Sequence, residues 1–202
     1  MKLVAVCAGP IAPLMYRTAG GDLKTVASAI HKSVVSGADQ PTTTVGVSKL
    51  GVQDDEQTKS PTQGGLDHAL LMLPEKHYHF WKKRRKENGL ESDFPYGFLG
   101  ENLLIDGFDE STVHIGDDIR IGELVCRITH PRQPGLEFAA HMGYANSTKE
   151  MIQSGACGWF ARVVQPGTIR AGDAVKLIRG DGTVTVKQRF GEMNQSAQMN
   201  LI

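Results

Sequence analysis

The residue types best suited to chemistry in this chain lie on two polar loops. One reads Pro131-Arg132-Gln133-Pro134-Gly135-Leu136-Glu137-Phe138 and the other Gly100-Glu101-Asn102-Leu103. Both are punctuated by glycine or proline and follow apolar runs, where a rigid scaffold usually carries its function. Arg132 sits in a stiff loop between two prolines. Its guanidinium fork suits a phosphate or carboxylate ligand, and equally a structural salt bridge to Glu101 or an aspartate. Asn102 has the donors and acceptor to hold a planar base, or to satisfy loop carbonyls. Gly64-Gly65 lets backbone N–H groups approach an anion, or makes a plain turn. Cys126 alternates in phase with Leu124 and Ile128 and reads as core. Cys157 lies in a Gly-flanked loop and reacts only if it is exposed and of low pKa. His77 and His79 are two apart on an expected helix, so they point in different directions. His114, His130 and His141 show no ligand spacing, and no metal site is expected. Asp117 and Asp173 read as turn caps.

Composition limits what those loops can serve. The 202 residues suit one domain, with 40% hydrophobic and 22% charged content typical of a globular chain. Lys+Arg and Asp+Glu are equal at 22 each, so no global field gathers nucleic acid or an anionic membrane surface. No apolar run approaches the roughly 18 residues of a spanning helix. The apolar start of the chain is short and broken by Pro10, so it reads as a strand and not as a signal peptide. Three cysteines without paired spacing point to reduced thiols and a cytoplasmic setting.

The elements that must position the loops are mostly short strands. Strands are expected at 3–8, 42–47, 67–73, 124–129, 159–164 and 183–186. Residues 10–40 read as a long excursion with a short helix near Leu23–Ile30. Pro74 at a first-turn position starts a helix that Gly89 stops, with His77, Phe80 and Trp81 on its apolar face. The basic run Lys82–Lys86 complements that helix's dipole. One or two short helices are expected within 141–154. Gly116-Asp117-Asp118-Ile119-Arg120-Ile121 is echoed about 56 residues later by Gly172-Asp173-Ala174-Val175-Lys176-Leu177. Two such turn-to-strand entries suit a small barrel. The expected fold is mostly β (α+β), a barrel over residues 1–190 with a few short peripheral helices. Residues 191–202 read as a C-terminal tail.

Several of these segments, in order, resemble the MOSC family, the molybdenum-cofactor sulfurase C-terminal domain, in its branch linked to resistance to N-hydroxylated purine bases. Gly51-Val52-Gln53-Asp54-Asp55-Glu56-Gln57 is similar to that branch's Gly-Leu-x-Gly-Asp-x-Gln turn, with Asp54 where glycine is usual. Gln63-Gly64-Gly65-Leu66-Asp67-His68-Ala69 resembles its His-Gly-Gly-x-Asp-(Lys/Arg)-Ala. Glu75-Lys76-His77-Tyr78-His79-Phe80-Trp81 resembles its helix start, and Gly100-Glu101-Asn102-Leu103 matches in full. Gly155-Ala156-Cys157-Gly158-Trp159 and Arg162 resemble a later segment.

The resemblance implies a MOSC-type β-barrel, binding of the molybdenum cofactor (molybdopterin), molybdenum ion or pyridoxal phosphate, and sulfur-carrier-type chemistry. It also implies oxidoreductase or sulfurase-type activity that detoxifies N-hydroxylated bases, a redox partner protein, and a homodimer as one assembly. On this reading Arg132, Asn102 and Gln63 are the catalytic candidates. Arg132, Asn102, Glu101, Gly64, Gly65, Gly135 and Arg162 hold a small anionic or planar ligand, and Arg132, Asn102, Glu101 and Gln63 converge on one cleft. Three departures coincide there. Gly135 replaces the family's cysteine in Pro-Arg-x-Pro-Cys, Gln63 replaces a histidine, and Glu137 replaces a residue that is often basic. A thiolate nucleophile or soft-metal ligand needs cationic surroundings to ionise. The alternative expectation is therefore a non-catalytic MOSC pseudo-enzyme or accessory binding protein.

Overall fold

The computed structural model describes residues 1–18, 20–58 and 65–199, the last four of these by backbone alone. The first strand, β1 (Leu3–Ala8), lies where its apolar run places it. The excursion after it contains no helix. It forms a hairpin of β2 (Ala12–Arg17) and β3 (Leu23–Ser28), followed by β4 (Ser33–Ser36). Leu23-Lys24-Thr25-Val26-Ala27-Ser28 pairs with β2 residue for residue, from Arg17↔Leu23 to Ala12↔Ser28. That pairing overrides the weak helical preference of so short a segment.

Strands β5 (Val45–Ser48) and β6 (Gly51–Val52) come next, and a 3₁₀ turn at Leu66–His68 leads into β7 (Leu70–Pro74). Every residue of β7 is buried, as its unbroken apolar run requires. Pro74, expected in the first turn of a helix, instead ends β7, and helix α1 spans Lys76–Glu87. His77, Tyr78 and Trp81 form its buried face. Within the basic run, Arg85 stacks over Phe98 at 5.0 Å and donates to the Met142 carbonyl at 2.6 Å. It ties α1 to the rest of the fold and is not available to a phosphate.

The remaining elements are β8 (Leu103–Ile105), β9 (Asp118–Ile121), β10 (Leu124–Pro131), α2 (Leu136–Met142), α3 (Ser147–Ser154), β11 (Trp159–Gln165), β12 (Gly167–Ile169), β13 (Val175–Ile178) and α4 (Val186–Met199). The expected last strand at 183–186 is a single bridge, His114↔Thr185. The residues after 191, expected as a tail, continue α4 to Met199. Its start is a capping box. Gln188 N donates to Thr185 Oγ1 at 3.1 Å, and Thr185 N donates to Gln188 Oε1 at 2.8 Å. Phe190 then anchors the helix in the core, 3% exposed.

The main sheet runs β13-β9-β10-β11-β7-β8-β1-β4, and β12-β5-β6 form a smaller sheet beside it. The two echoed strands are direct neighbours, with Ile121 opposite Val175 and Ile119 opposite Leu177. One edge of β1 is shared. Its later residues pair with β4, while Leu3 N donates to Asp173 O and Val175 N donates to Met1 O. This seam, with the single bridge Lys2↔Ala174, brings the start of β1 against the β13 end of the same sheet, so the sheet curls into a barrel-like shape. Leu3, Met72, Ile119, Ile128 and Trp159 fill the interior. A second apolar cluster, including Leu14, Ile30, Trp81, Phe138 and Phe190, packs the hairpin and helices onto the outside. Among the described residues no helix is long and apolar enough to cross a membrane.

Candidate functional site

A cavity of about 530 Å³ opens where the loop after β10 meets the turn after β6, the 3₁₀ turn, α2 and α4. Arg132, Asn102 and Gly135 of the expected site line it, together with Lys32, Asp55, Glu56, His68, His130 and Glu137. Gln63 and Gly64 lie outside the described residues. Glu101, Gly65 and Arg162 are not among the lining residues.

Asn102 is fully engaged. Its Oδ1 accepts from Leu71 N at 3.0 Å, and its Nδ2 donates to Asp55 Oδ2 at 2.8 Å and to the Cys7 carbonyl at 3.3 Å. Asp55 in turn accepts from Gly9 N at 3.0 Å and pairs with Lys32, whose side chain is 6% exposed. Asp55 follows Asp54, which has φ 61, the left-handed region that L side chains other than Asn and Asp seldom enter. Glycine would adopt that geometry without a steric cost. The Lys32–Asp55–Asn102 network forms one wall of the cavity.

Glu101 points away from the cavity. It is wholly buried, and its Oε1 accepts from Tyr78 OH at 2.6 Å and Gly97 N at 2.7 Å. Burial raises its pKa, an effect partly offset by the Tyr78 hydrogen bond. The expected salt bridge to Arg132 is not formed. Arg132 instead donates Nη1 to the Leu99 carbonyl at 2.6 Å and stacks 4.8 Å above the Phe138 ring. Burial pulls its pKa down to about 10, against the opposing pull of Glu101, so it remains charged at neutral pH. The strand-end turn allows this approach because Gly100 has φ +86. A Cβ there would lie 3.0 Å from Ile30 and 3.6 Å from Arg132 Nη2. Arg162 lies on the exposed face of β11 and pairs with Asp67 at 2.7 Å. Gly65, exposed, opens the 3₁₀ turn.

The opposite wall is less committed. Gly135 is extended, with φ −134 and ψ 172, and a Cβ there would meet nothing within 4 Å. Glu137 is held by the Ser28 hydroxyl of the hairpin, and it has no ion-pair partner among the described residues. His130 follows a register shift in β10, between Ile128 and His130 opposite β11. Its Nε2 lies 2.9 Å from His68 Nε2, and the two rings are 4.3 Å apart and edge to face. Burial and the neighbouring His68 depress the His130 pKa to about 4, so it is neutral at pH 7.

None of the thiols reaches this space. Cys7, Cys126 and Cys157 are each 0% exposed, and burial raises the pKa of all three. Cys157 is therefore not the substitute nucleophile that its Gly-flanked loop suggested. Its loop is fixed by Glu110, which accepts from Gly158 N at 2.6 Å and from His77 Nε2 at 2.9 Å.

A barrel of this topology, with the Gly100–Leu103 turn beside the Pro131–Phe138 loop, is a MOSC architecture. Residues 59–176 match the MOSC domain family, and the chain belongs to it. Protein YiiM of Escherichia coli is 32% identical over 142 residues, which cover 70% of this chain and 62% of that protein. A protein named reductase from Gibberella moniliformis is 31% identical over 155 residues, 76% of this chain but 26% of its own length. The crystal structure of YiiM from Geobacillus stearothermophilus superposes with a TM-score of 0.67 at 26% identity, covering 98% of this chain and 88% of that one. The chain spans less than two thirds of the length of the curated relatives it matches.

Proposed function

We propose that this chain is a MOSC-domain binding protein whose cavity takes a neutral or cationic planar N-heterocycle, such as an N-hydroxylated base, without thiol chemistry. One observation carries the reading. The family's cysteine position is a bare glycine facing open space, in a cavity whose charged lining is Lys32 and Arg132 against Asp55, Glu56 and Glu137. Lys32 is already neutralised by Asp55, which leaves, among the described lining residues, one cation, Arg132, held at the Leu99 carbonyl, against the two carboxylates Glu56 and Glu137. The remaining carboxylates favour N–H donors and positive charge on a ligand, and disfavour phosphate.

The same donor set does not suit the molybdenum cofactor. That group brings an anionic pterin phosphate and a soft metal that prefers thiolate, and among the described residues the lining offers no thiolate and more acid than base. Pyridoxal phosphate fits no better, because the one lysine among the described lining residues is held in a buried ion pair.

Calorimetric titration of the full chain with adenine, N-hydroxylated adenine and AMP tests the reading. The two bases are expected to bind and AMP to bind at least about tenfold more weakly. Glu137→Lys should reverse that order. Tighter binding of AMP than of either base by the unmodified chain, or robust reductase-coupled turnover of the N-hydroxylated base, would overturn the proposal.

A further inference from the structure

The His68–His130 pair has no part in the function proposed above, and its two ring nitrogens have the spacing of two ligands to one ion. The residues are 62 apart in sequence, and their Nε2 atoms face each other at 2.9 Å on the cavity wall. Two imidazoles binding one ion with metal–nitrogen bonds of about 2.0–2.1 Å place their nitrogens about 2.9 Å apart when the angle at the metal is near 90°. That is the cis angle of tetragonal copper(II) or nickel(II), and tetrahedral zinc needs the nitrogens only about 0.4 Å further apart. Without an ion the two nitrogens can share only one proton, since both cannot donate to each other.

We infer that His68 and His130 form a binding site for a divalent transition-metal ion on the wall of this cavity. Phe160 packs 4.7 Å from the His68 ring and 5.1 Å from the His130 ring, limiting the orientations of both. Among the described residues no group of three or more His, Cys, Asp and Glu side chains could hold an ion, so the pair would supply two protein ligands. Both histidines line the cavity, where water or a nitrogen or oxygen of a bound heterocycle would complete the coordination. The site is distinct from a molybdenum centre, since its donors are borderline imidazoles and not thiolates.

The test uses the full chain, stripped with chelator and titrated with Cu²⁺ alone and with Zn²⁺ alone, with no organic ligand present. Failure here therefore leaves the heterocycle reading untouched. One equivalent of Cu²⁺ is expected, with electron paramagnetic resonance showing hyperfine coupling to two nitrogens. His68→Ala and His130→Ala should each weaken binding about tenfold or more. His130→Gln, which keeps size and hydrogen bonding, should do the same while retaining the parent's circular dichroism and melting temperature. His79→Ala, on the exposed face of α1, should change nothing. Binding that survives His68→Ala and His130→Gln undiminished would overturn the inference. So would an unmodified chain that binds neither metal more tightly than its His68→Ala variant.

Discussion

The two walls of the cavity differ in how far their polar groups are used. On the Asn102 wall, Leu71 N, the Cys7 carbonyl, Asp55, Lys32 and Gly9 N account for the hydrogen-bonding capacity of Asn102 and Asp55. On the Gly135 wall, Glu137 has one hydroxyl partner, Gly135 presents no side chain, and two histidines face each other. The segment that matches the family's pattern in full, Gly100–Leu103, therefore serves the scaffold. The segments that depart from it hold the groups a ligand can reach. A residue committed on all sides makes a wall stiff, and a residue with spare capacity makes it selective.

The sharpest way to break this contrast is on the committed wall. Asp55→Ala leaves Lys32 buried without its partner and Asn102 Nδ2 without one acceptor. The expected loss is about 3–5 kcal/mol of stability, read as a lower denaturation midpoint. A loss below about 1 kcal/mol would mean the network is not a structural wall.

A smaller effect lies in the turn that presents Asp55. Asp54 has φ 61, so Asp54→Val should cost about 1–2 kcal/mol, while Asp54→Gly should stay within about 0.5 kcal/mol of the parent. Equal melting temperatures for the two variants would remove the left-handed turn from the account.

The pH profile gives a third measure. Burial, with His31 alongside, holds the His141 pKa at about 4, below its ordinary 6.5. Between those values the unfolded chain binds the proton better, so stability rises with pH there and is lost on acidification from about 6.5 to 4. His141→Gln should reduce the slope of the melting temperature across that window, leaving the share that His130, also held at about 4, contributes. An unchanged slope would assign the acid sensitivity elsewhere.

The smallest expected change is on the open wall. Gly135→Cys should leave the chain as stable as before or up to about 0.5 kcal/mol more so, because its backbone suits any residue and the space is clear. Its thiol should alkylate with a midpoint near the unperturbed 8.5, and Glu137→Lys added to it should lower that midpoint. The three native thiols, being buried, should stay silent. A single-variant thiol already fully reactive at pH 7 would show that the cavity is more cationic than its lining suggests.

Much of this was legible in the sequence, and the gaps have physical causes. The unbroken apolar run at Leu70–Leu73 and the Gly89 stop marked β7 and the end of α1. The Gly-Asp echo marked two strands that prove to be neighbours. The α4 helix was missed because Thr183–Val186 is β-branched. The signal was nevertheless present, as Thr185 and Gln188 have capping-box spacing and Val186, Phe190 and Met193 recur at helical intervals. Lys32 gave no signal, since a lone lysine in a Gly- and Ser-rich stretch reads as solvated until the hairpin carries it to Asp55. The His68–His130 pair was invisible for the same reason, because spacing rules read neighbours in sequence and these two meet only across strands. Glu101, picked out with Arg132, is turned to Tyr78 and Gly97, whereas Arg132 both lines the cavity and bonds to the Leu99 carbonyl.

The seam between β1 and β13 also bears on how the molecule assembles. It joins residues 1–3 to residues 172–175, so this part of the β1 edge is covered only once a segment about 170 residues further along the chain is in place. During synthesis that edge stays exposed to other chains, and closing it carries a long loop-closure entropy. Folding should therefore be slow for the chain's size, with the seam as its late step. Substitutions at Leu3 or Val175 that weaken the seam should lower the yield of folded protein more than they lower the stability of what has folded.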